Sequence, residues 1–457
     1  MTSAKSKLLR LKTILPGEII FEPHTLANYS SDKWFAARQP DAVALPRSTK
    51  SVAVILRFAN QYKISVTARG GGYGYVGGCV PIRGGIVLSL ERMNRILEIN
   101  AKDFVAVVQP AVITEKFQNA VEKLNLFYPP DPASRAHNFI GGNIATNAGG
   151  PRCLKYGVTR DYTLGLEVVL ADGTIIRVGG RVHKNKTGFD LTRLFVGSEG
   201  LLGVVTEATL KLIPLPPFRA TLAVGFGSMK NAIGALQAIL SAGFLPSALE
   251  LADEFTLSAA AEYTKNNRLG ICKAHLIVEI DGQKKSVRGE LPEIEKIIRR
   301  FKPLFIERGL GDADCEKIWQ IRREFSTALR ASGLTKLNED IVVPRGRLED
   351  LFRFTARLQK KINLPIACFG HAGDGNIHVN IMLDENDPAA VKRAEAALDE
   401  LFRQVLAWNG AITGEHGIGL AKKRWWPLAV SKEVQELHRA LKKTLDPNGI
   451  LNPGKFV

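Results

Sequence analysis

Closely spaced cysteines, histidines and long apolar runs are scarce in this chain, and each shortage removes a class of function. The five cysteines (Cys79, Cys153, Cys272, Cys315 and Cys368) lie far apart, with no C-x-x-C among them. An iron–sulfur cluster, a zinc ribbon and a disulfide framework all need thiols at set spacings, so none is expected, and a reducing compartment suits the composition. No apolar run approaches the roughly 18–20 residues that span a bilayer. The opening M-T-S-A-K-S-K-L-L-R-L-K is basic, but no apolar core and small-residue cleavage site follow it, so no secretory signal is expected.

Acidic residues are also in deficit: 62 Lys and Arg face 45 Asp and Glu, a net charge of +17. Such a surplus draws anions, whether acidic lipid headgroups, an acidic protein, anionic substrates or nucleic acid. The basic residues are spread along the chain and none of the usual nucleic-acid modules is visible, so nucleic acid is not an expected partner. With 457 residues the chain is too long for one ordinary core, and two domains are expected, one interrupted by the other.

Only 8 histidines occur, yet three of them fall in two short glycine-rich stretches, F-G-H-A-G-D-G-N-I-H-V-N at 369–380 and T-G-E-H-G-I-G at 413–419. His371, His378 and Glu415 offer two imidazoles and a carboxylate. That donor set suits a divalent metal, zinc before others, and leaves a coordination position open for a substrate oxygen. His416 is then free for proton transfer. The plainer reading is that these are loop histidines bonded to backbone, because six intervening residues is no helical spacing. The surrounding Gly370, Gly373, Gly375, Gly414, Gly417 and Gly419 suit backbone that bends sharply beside a ligand.

From Asp41 to Leu90 the apolar pattern predicts strand, helix, strand, glycine loop and strand. The loop from Arg69 to Gly78 holds six glycines in ten residues. Bare backbone amides can approach a diphosphate closely, although glycine-rich turns are often only turns. No G-K-[ST] follows, so it is not a Walker loop. Tyr128 to Gly157 is rich in proline and glycine and predicts either an extended ligand-lining loop or a very long surface one. A hairpin is expected at Asp172-Gly173, and the cluster Pro214, Pro216, Pro217 marks a domain boundary. Further on, K-I-W-Q-I-R-R-E-F-S predicts a helix with Trp319 and Arg322 on one face, which read alone is a solvated face. Phe369 to Met382 predicts strand, turn, strand, with His371, His378 and Asn380 brought to one edge of a sheet.

The ordered set A-R-G-G-G-x-G, P-P-D-P-A-S, G-G-N-I-A-T-N-A-G-G, K-Y-G-V-T-R-D, V-V-L-A-D-G and L-F-V-G-S-E-G-x-L-G resembles the FAD-binding domain of the vanillyl-alcohol oxidase and p-cresol methylhydroxylase superfamily. With F-G-H-A-G-D-G-N-I-H, G-E-H-G-I-G and the closing D-P-N-G-I-L-N-P-G-K, the resemblance extends over nearly the whole chain. It points to the branch of FAD-linked D-2-hydroxyacid dehydrogenases, which includes the glycolate oxidase flavoprotein subunit, D-lactate dehydrogenase and D-2-hydroxyglutarate dehydrogenase.

The resemblance implies an α+β fold: a two-subdomain FAD-binding domain of p-cresol methylhydroxylase type at 1–217, an inserted ferredoxin-like α+β cap for substrate at 218–410, and a segment at 411–457 returning to the FAD domain. By position, Arg69, Gly70, Gly71, Gly72, Tyr73, Gly74, Gly77 and Gly78 would hold the FAD diphosphate. Pro130, Asp131, Ser134, Gly141, Asn143, Thr146, Asn147 and Gly149 would line the flavin and its ribityl chain, and Gly200, Val204 and Val205 would reach the adenine side. Tyr73 departs from the branch, which usually has Thr there, and noncovalent FAD is expected.

The implied chemistry is oxidation of a D-2-hydroxy acid. A metal on His371, His378 and Glu415 would bind the hydroxyl and one carboxylate oxygen, His416 would act as general base, and the C2 hydride would pass to flavin N5. Arg322, Lys336 and Asn380 would hold the substrate. Electrons would leave through a separate protein, an iron–sulfur partner subunit included, or a quinone, unless oxygen is the acceptor. The expected location is the cytoplasm, free or at the inner face of the membrane. Two other readings remain open: a non-catalytic flavoprotein subunit, and a non-redox enzyme of the alkyl-dihydroxyacetonephosphate synthase type, whose run of histidines is missing here.

Overall fold

The computed structural model describes residues 4–457. They divide into two compact units. The first comprises the described residues up to 149 with 158–215 and 415–457, and the second comprises 150–157 and 216–414. Residues 150–157, placed in the first domain by the sequence pattern, therefore belong with the second. The reason is local: Lys155 Nζ lies 2.5 Å from Asp281 Oδ1, and Tyr156 Oη donates to Asp281 Oδ2 at 2.8 Å.

In the first unit, strands Ala42–Ala44, Ile86–Ser89 and Val66–Arg69 run parallel, and Ile19–Ile20 adds an antiparallel edge. Helix Thr49–Tyr62 supplies the crossover. Ser48 caps it by accepting from the Ser51 amide, Lys63 ends it in the left-handed region at φ 53°, and Val52, Ile55, Leu56 and Ala59 bury one stripe at helical spacing. The glycine loop leaves the end of Val66–Arg69 and leads to Ile86–Ser89.

A five-stranded antiparallel sheet follows in the order Ile96–Asn100, Val105–Val108, Val204–Lys211, Thr163–Val169, Ile175–Gly179, its last pair joined at Asp172-Gly173. The stretch 128–157 is less extended than its prolines and glycines suggest. Ile140–Thr146 is a short helix closed by Asn147 at φ 52°, and Cys153–Tyr156 forms one more turn. Two turns of helix tolerate Gly141 and Gly142 because tertiary bonds, such as Gly141 N to Pro110 O at 2.7 Å, substitute for propensity.

The second unit is built on a seven-stranded antiparallel sheet ordered Phe305–Leu310, Phe218–Phe226, Ala274–Gly282, Ala248–Asp253, Ile366–His371, Asn376–Leu383, Thr335–Val342. Helices Glu254–Thr264 and Asp312–Ala331 pack on each other and on one face. Asp312 and Asp314 in the first turn of the longer helix meet its positive end, and Ile318, Trp319, Phe325 and Leu329 form its buried stripe. Helices Met229–Ser241, Lys284–Arg299, Leu348–Ile362 and Pro388–Ala407 make a second packed group.

Candidate metal and flavin site

Strand register decides which side chains share a face. His371 stands opposite both Glu250 and Asn376; His378 stands opposite both Phe369 and Asp340; Asn380 stands opposite Ala367 and Asn338. Partners across an antiparallel pair project to the same side. Glu250, His371, His378, Asn380, Asp340 and Lys336 therefore line one face, the face that also carries Phe369. The two histidine strands are not at the sheet edge, as the sequence pattern suggested, because Thr335–Val342 adds outside them.

The rings of His371 and His378 lie 5.5 Å apart and nearly perpendicular. The turn between their strands depends on Gly375 at φ 88°, where a Cβ would meet Val343 O at 2.1 Å. Asp340 then fixes the approach of the distant segment: its Oδ2 accepts from Thr413 Oγ1 at 3.0 Å and from the Gly414 amide at 2.8 Å, while its Oδ1 accepts from Asn376 Nδ2 at 2.6 Å. Glu415 is the next residue along that segment. One ligand atom each from His371, His378 and Glu415 lie within 4.8 Å of one another. Two imidazole nitrogens and a carboxylate oxygen at this separation fit a zinc-type cation.

Behind His371, Glu250 is buried and uses both oxygens. Oε1 lies 2.6 Å from His371 Nδ1, and Oε2 accepts from Arg322 Nε at 2.7 Å and Nη2 at 2.6 Å. Burial alone would raise the Glu250 pKa, but His371 and Arg322 overcome it and hold the carboxyl down at about 2. Arg322 also lies over the Phe369 ring at 4.8 Å. On its neighbour Trp319, the indole N–H donates to buried Glu279 at 2.6 Å. The helix face read as solvated is thus a buried polar layer.

Lys336 Nζ donates to Ser326 Oγ at 2.8 Å. Burial and then the nearby Arg330 lower its pKa to about 8. Asn380 is fully buried; its Nδ2 donates to Ala367 O at 3.0 Å and His378 O at 3.2 Å, while its Oδ1 has no hydrogen-bond partner among the described residues. The facing Asn338 Oδ1 is in the same condition. Sequence reasoning gave no role to Glu250 or Asp340.

The first unit holds the residues assigned to FAD. Arg69 Nη1 donates to Ser31 O at 2.7 Å, and its guanidinium lies over Tyr29, so this side chain braces the loop Gly70, Gly71, Gly72, Tyr73, Gly74, Gly77, Gly78 from behind. Tyr73 stacks on His137 with centroids 5.2 Å apart. Asn143 and Ser134 end a buried relay, Asn143 Nδ2 to Thr114 Oγ1, Thr114 to Asn138, Asn138 Nδ2 to Ser134 Oγ. Asn147 Oδ1 accepts the Arg160 amide, Thr146 Oγ1 donates to Gly142 O, and the Pro130 carbonyl accepts from Gln118. The Val204 side chain is in the core cluster with Val169 and Leu88, and Gly200 takes φ 70°. Between the loop and helix Ile140–Thr146, a Cβ on Gly70 would lie 3.4 Å from the Gly142 Cα, and a Cβ on Gly142 would meet nothing within 4 Å. Bare backbone facing open space is what a diphosphate or flat ring requires.

His416 stacks on Tyr75 at 5.3 Å. Its following turn is clamped by buried Glu199, which accepts from the amides of Ile418 at 2.7 Å and Gly419 at 2.8 Å.

Residues 40–179 match the family described as FAD binding domain, and residues 215–456 match the FAD linked oxidases, C-terminal domain. The chain belongs to the FAD-linked oxidases. Among its relatives, this FAD-linked oxidase is 39% identical to the glycolate oxidase subunit GlcD of Bacillus subtilis over 96% of its own length and 92% of the relative's. It is 31% identical to a D-lactate dehydrogenase of Anaerostipes hadrus, over 98% and 96% of the two chains. A solved structure of p-cresol methylhydroxylase superposes with a TM-score of 0.81 at 19% identity, covering 100% of this chain and 97% of that one, which shows that the two share a fold. Among the described residues, no helix of the FAD-linked oxidase is long and apolar enough to cross a membrane.

Proposed function

We propose that this FAD-linked oxidase converts a D-2-hydroxy acid of the lactate, glycolate or 2-hydroxyglutarate class to its 2-oxo acid and hands the two electrons to a separate carrier. The relatives named for glycolate and D-lactate support the substrate class. The observation that carries the reading is that one ligand atom each from His371, His378 and Glu415 lies within 4.8 Å of the others, with His416 the next residue in the chain.

When bound, the flavin supplies the acceptor for the C2 hydride, and a divalent cation on His371, His378 and Glu415 supplies positive charge that makes the substrate hydroxyl more acidic. The remaining work falls to the chain. Arg322 keeps N–H donors beyond the two spent on Glu250, and a planar guanidinium matches a carboxylate. Lys336 adds a second cation, so the acid end is fixed and one face of C2 is presented. His416, held by its Tyr75 stack and by the Glu199 clamp on its turn, accepts the hydroxyl proton.

Electrons must then leave, and five scattered cysteines offer no ligand set for a cluster in this chain. A separate protein, such as an iron–sulfur partner subunit, or a quinone takes them. The subunit designation of the Bacillus subtilis relative supports an assembly of this kind.

The test is anaerobic mixing of the FAD-loaded chain with a panel of D- and L-2-hydroxy acids while flavin absorbance is followed. Bleaching by a D-acid is expected. His416→Ala should stay yellow and folded with turnover down by roughly 10²–10⁴, and His371→Ala should lose metal and activity together. No bleaching by any acid, or full activity in either variant, overturns the reading.

A further inference from the structure

Glu250 belongs to none of the roles above, yet its carboxylate bonds to a metal-facing and a substrate-facing side chain of the proposed site, and this inference rests on the reading just given. We infer that Glu250 is a positioning residue that couples the metal-facing His371 to the substrate-facing Arg322.

Three observations support it. The carboxylate is buried and divided, with Oε1 on His371 Nδ1 at 2.6 Å and Oε2 on Arg322 Nε and Nη2 at 2.7 and 2.6 Å. The partners are themselves held: side-chain exposure is 1% for Glu250, 8% for His371 and 12% for Arg322, so solvent neither screens nor replaces the contacts. The backbone leaves little choice, because Glu250 and His371 are direct cross-strand neighbours and Arg322 reaches over from helix Asp312–Ala331.

The chemical consequence follows from hydrogen-bond bookkeeping. A carboxylate accepts, so the His371 proton sits on Nδ1 and the Nε2 lone pair is left for a cation. The same carboxylate fixes one edge of the Arg322 guanidinium, and the Phe369 ring at 4.8 Å holds its face. The free N–H groups then point in a set direction relative to His371. Moving or neutralising this one carboxylate therefore disturbs both partners at once.

Glu250→Gln is the test, since an amide keeps the shape but can satisfy only one partner in its original sense. Zinc affinity is measured on the metal-stripped chain by competition with a chromophoric chelator, and KM and kcat are measured with the acid that bleaches the flavin fastest. The expected result is zinc affinity down roughly ten- to a hundredfold together with a raised KM, whereas Arg322→Lys should raise KM and leave zinc affinity near that of the parent. Should Glu250→Gln fail to fold, Glu250→Asp keeps the charge but draws it back, and the same paired loss is expected. A Glu250 variant that is folded and yellow and binds zinc as the parent does overturns the inference, even where the parent oxidises its acid normally. A parent that binds no zinc overturns it along with the metal-assisted part of the proposed function.

Discussion

At the scale of single residues, two buried titrating groups yield predictions of opposite kind. Lys336 has its pKa lowered to about 8 by burial and by Arg330, so in the free enzyme it loses its charge as pH rises through 8. An anionic substrate then meets one cation fewer. The expected outcome is a kcat/KM that falls above pH 8, and in Lys336→Arg the falling limb should move to higher pH because a guanidinium stays charged. A profile in Lys336→Arg that superposes on the parent would remove Lys336 from substrate binding. His275 is spent on stability instead. It is buried beside Phe305 in a small cavity that Arg268 and Glu307 also line, and burial lowers its pKa to about 4. Between pH 6.5 and 4 the unfolded chain binds the proton that the folded chain refuses, so stability is full above 6.5 and declines as pH falls through that window. A displacement of this size corresponds to roughly 3 kcal/mol. Chemical denaturation of His275→Leu should show a flatter dependence on pH across the same range.

At the scale of elements, the site depends on a close approach that only one residue type allows. A Cβ on Gly414 would lie 2.5 Å from Asn376 Nδ2 and 2.9 Å from Asp340 Oδ1. Gly414→Ala should therefore push the segment off Asp340 and carry Glu415 with it, weakening zinc binding roughly ten- to a hundredfold while the flavin still binds; equal zinc affinity in this variant would show that Asp340 does not seat the segment.

The same element shows what the sequence makes legible. Alternation around His371 and His378 and the helical stripe through Trp319 and Arg322 are local periodicities, and the strands and helix they predict are present. The pairing of Ala248–Asp253 with Ile366–His371 joins residues more than a hundred positions apart. No local period encodes that choice, so nothing local pairs Glu250 with His371, and Arg322 reads as a surface charge when its helix is taken without the resemblance. Ile140–Thr146 was lost for the converse reason: its glycines lower helix propensity, and the bonds that override it come from distant residues such as Pro110.

At the scale of the whole molecule, the net charge of +17 bears on the electron acceptor. Opposite charge speeds encounter and salt screens it, so turnover with an acidic carrier protein should drop as ionic strength rises, while turnover with an uncharged quinone should hardly change. Equal salt dependence for both would mean that the basic surplus plays no part in electron exit. Chain connectivity carries a separate consequence. The backbone passes from one unit to the other after residues 149, 157, 215 and 414, and the excursion at 150–157 is anchored by Lys155 and Tyr156 on Asp281. A chimaera that borrows the second unit from a relative therefore has to import two separate pieces of sequence, and a graft of 216–414 alone would strand a lysine and a tyrosine opposite whatever the donor carries in place of that aspartate.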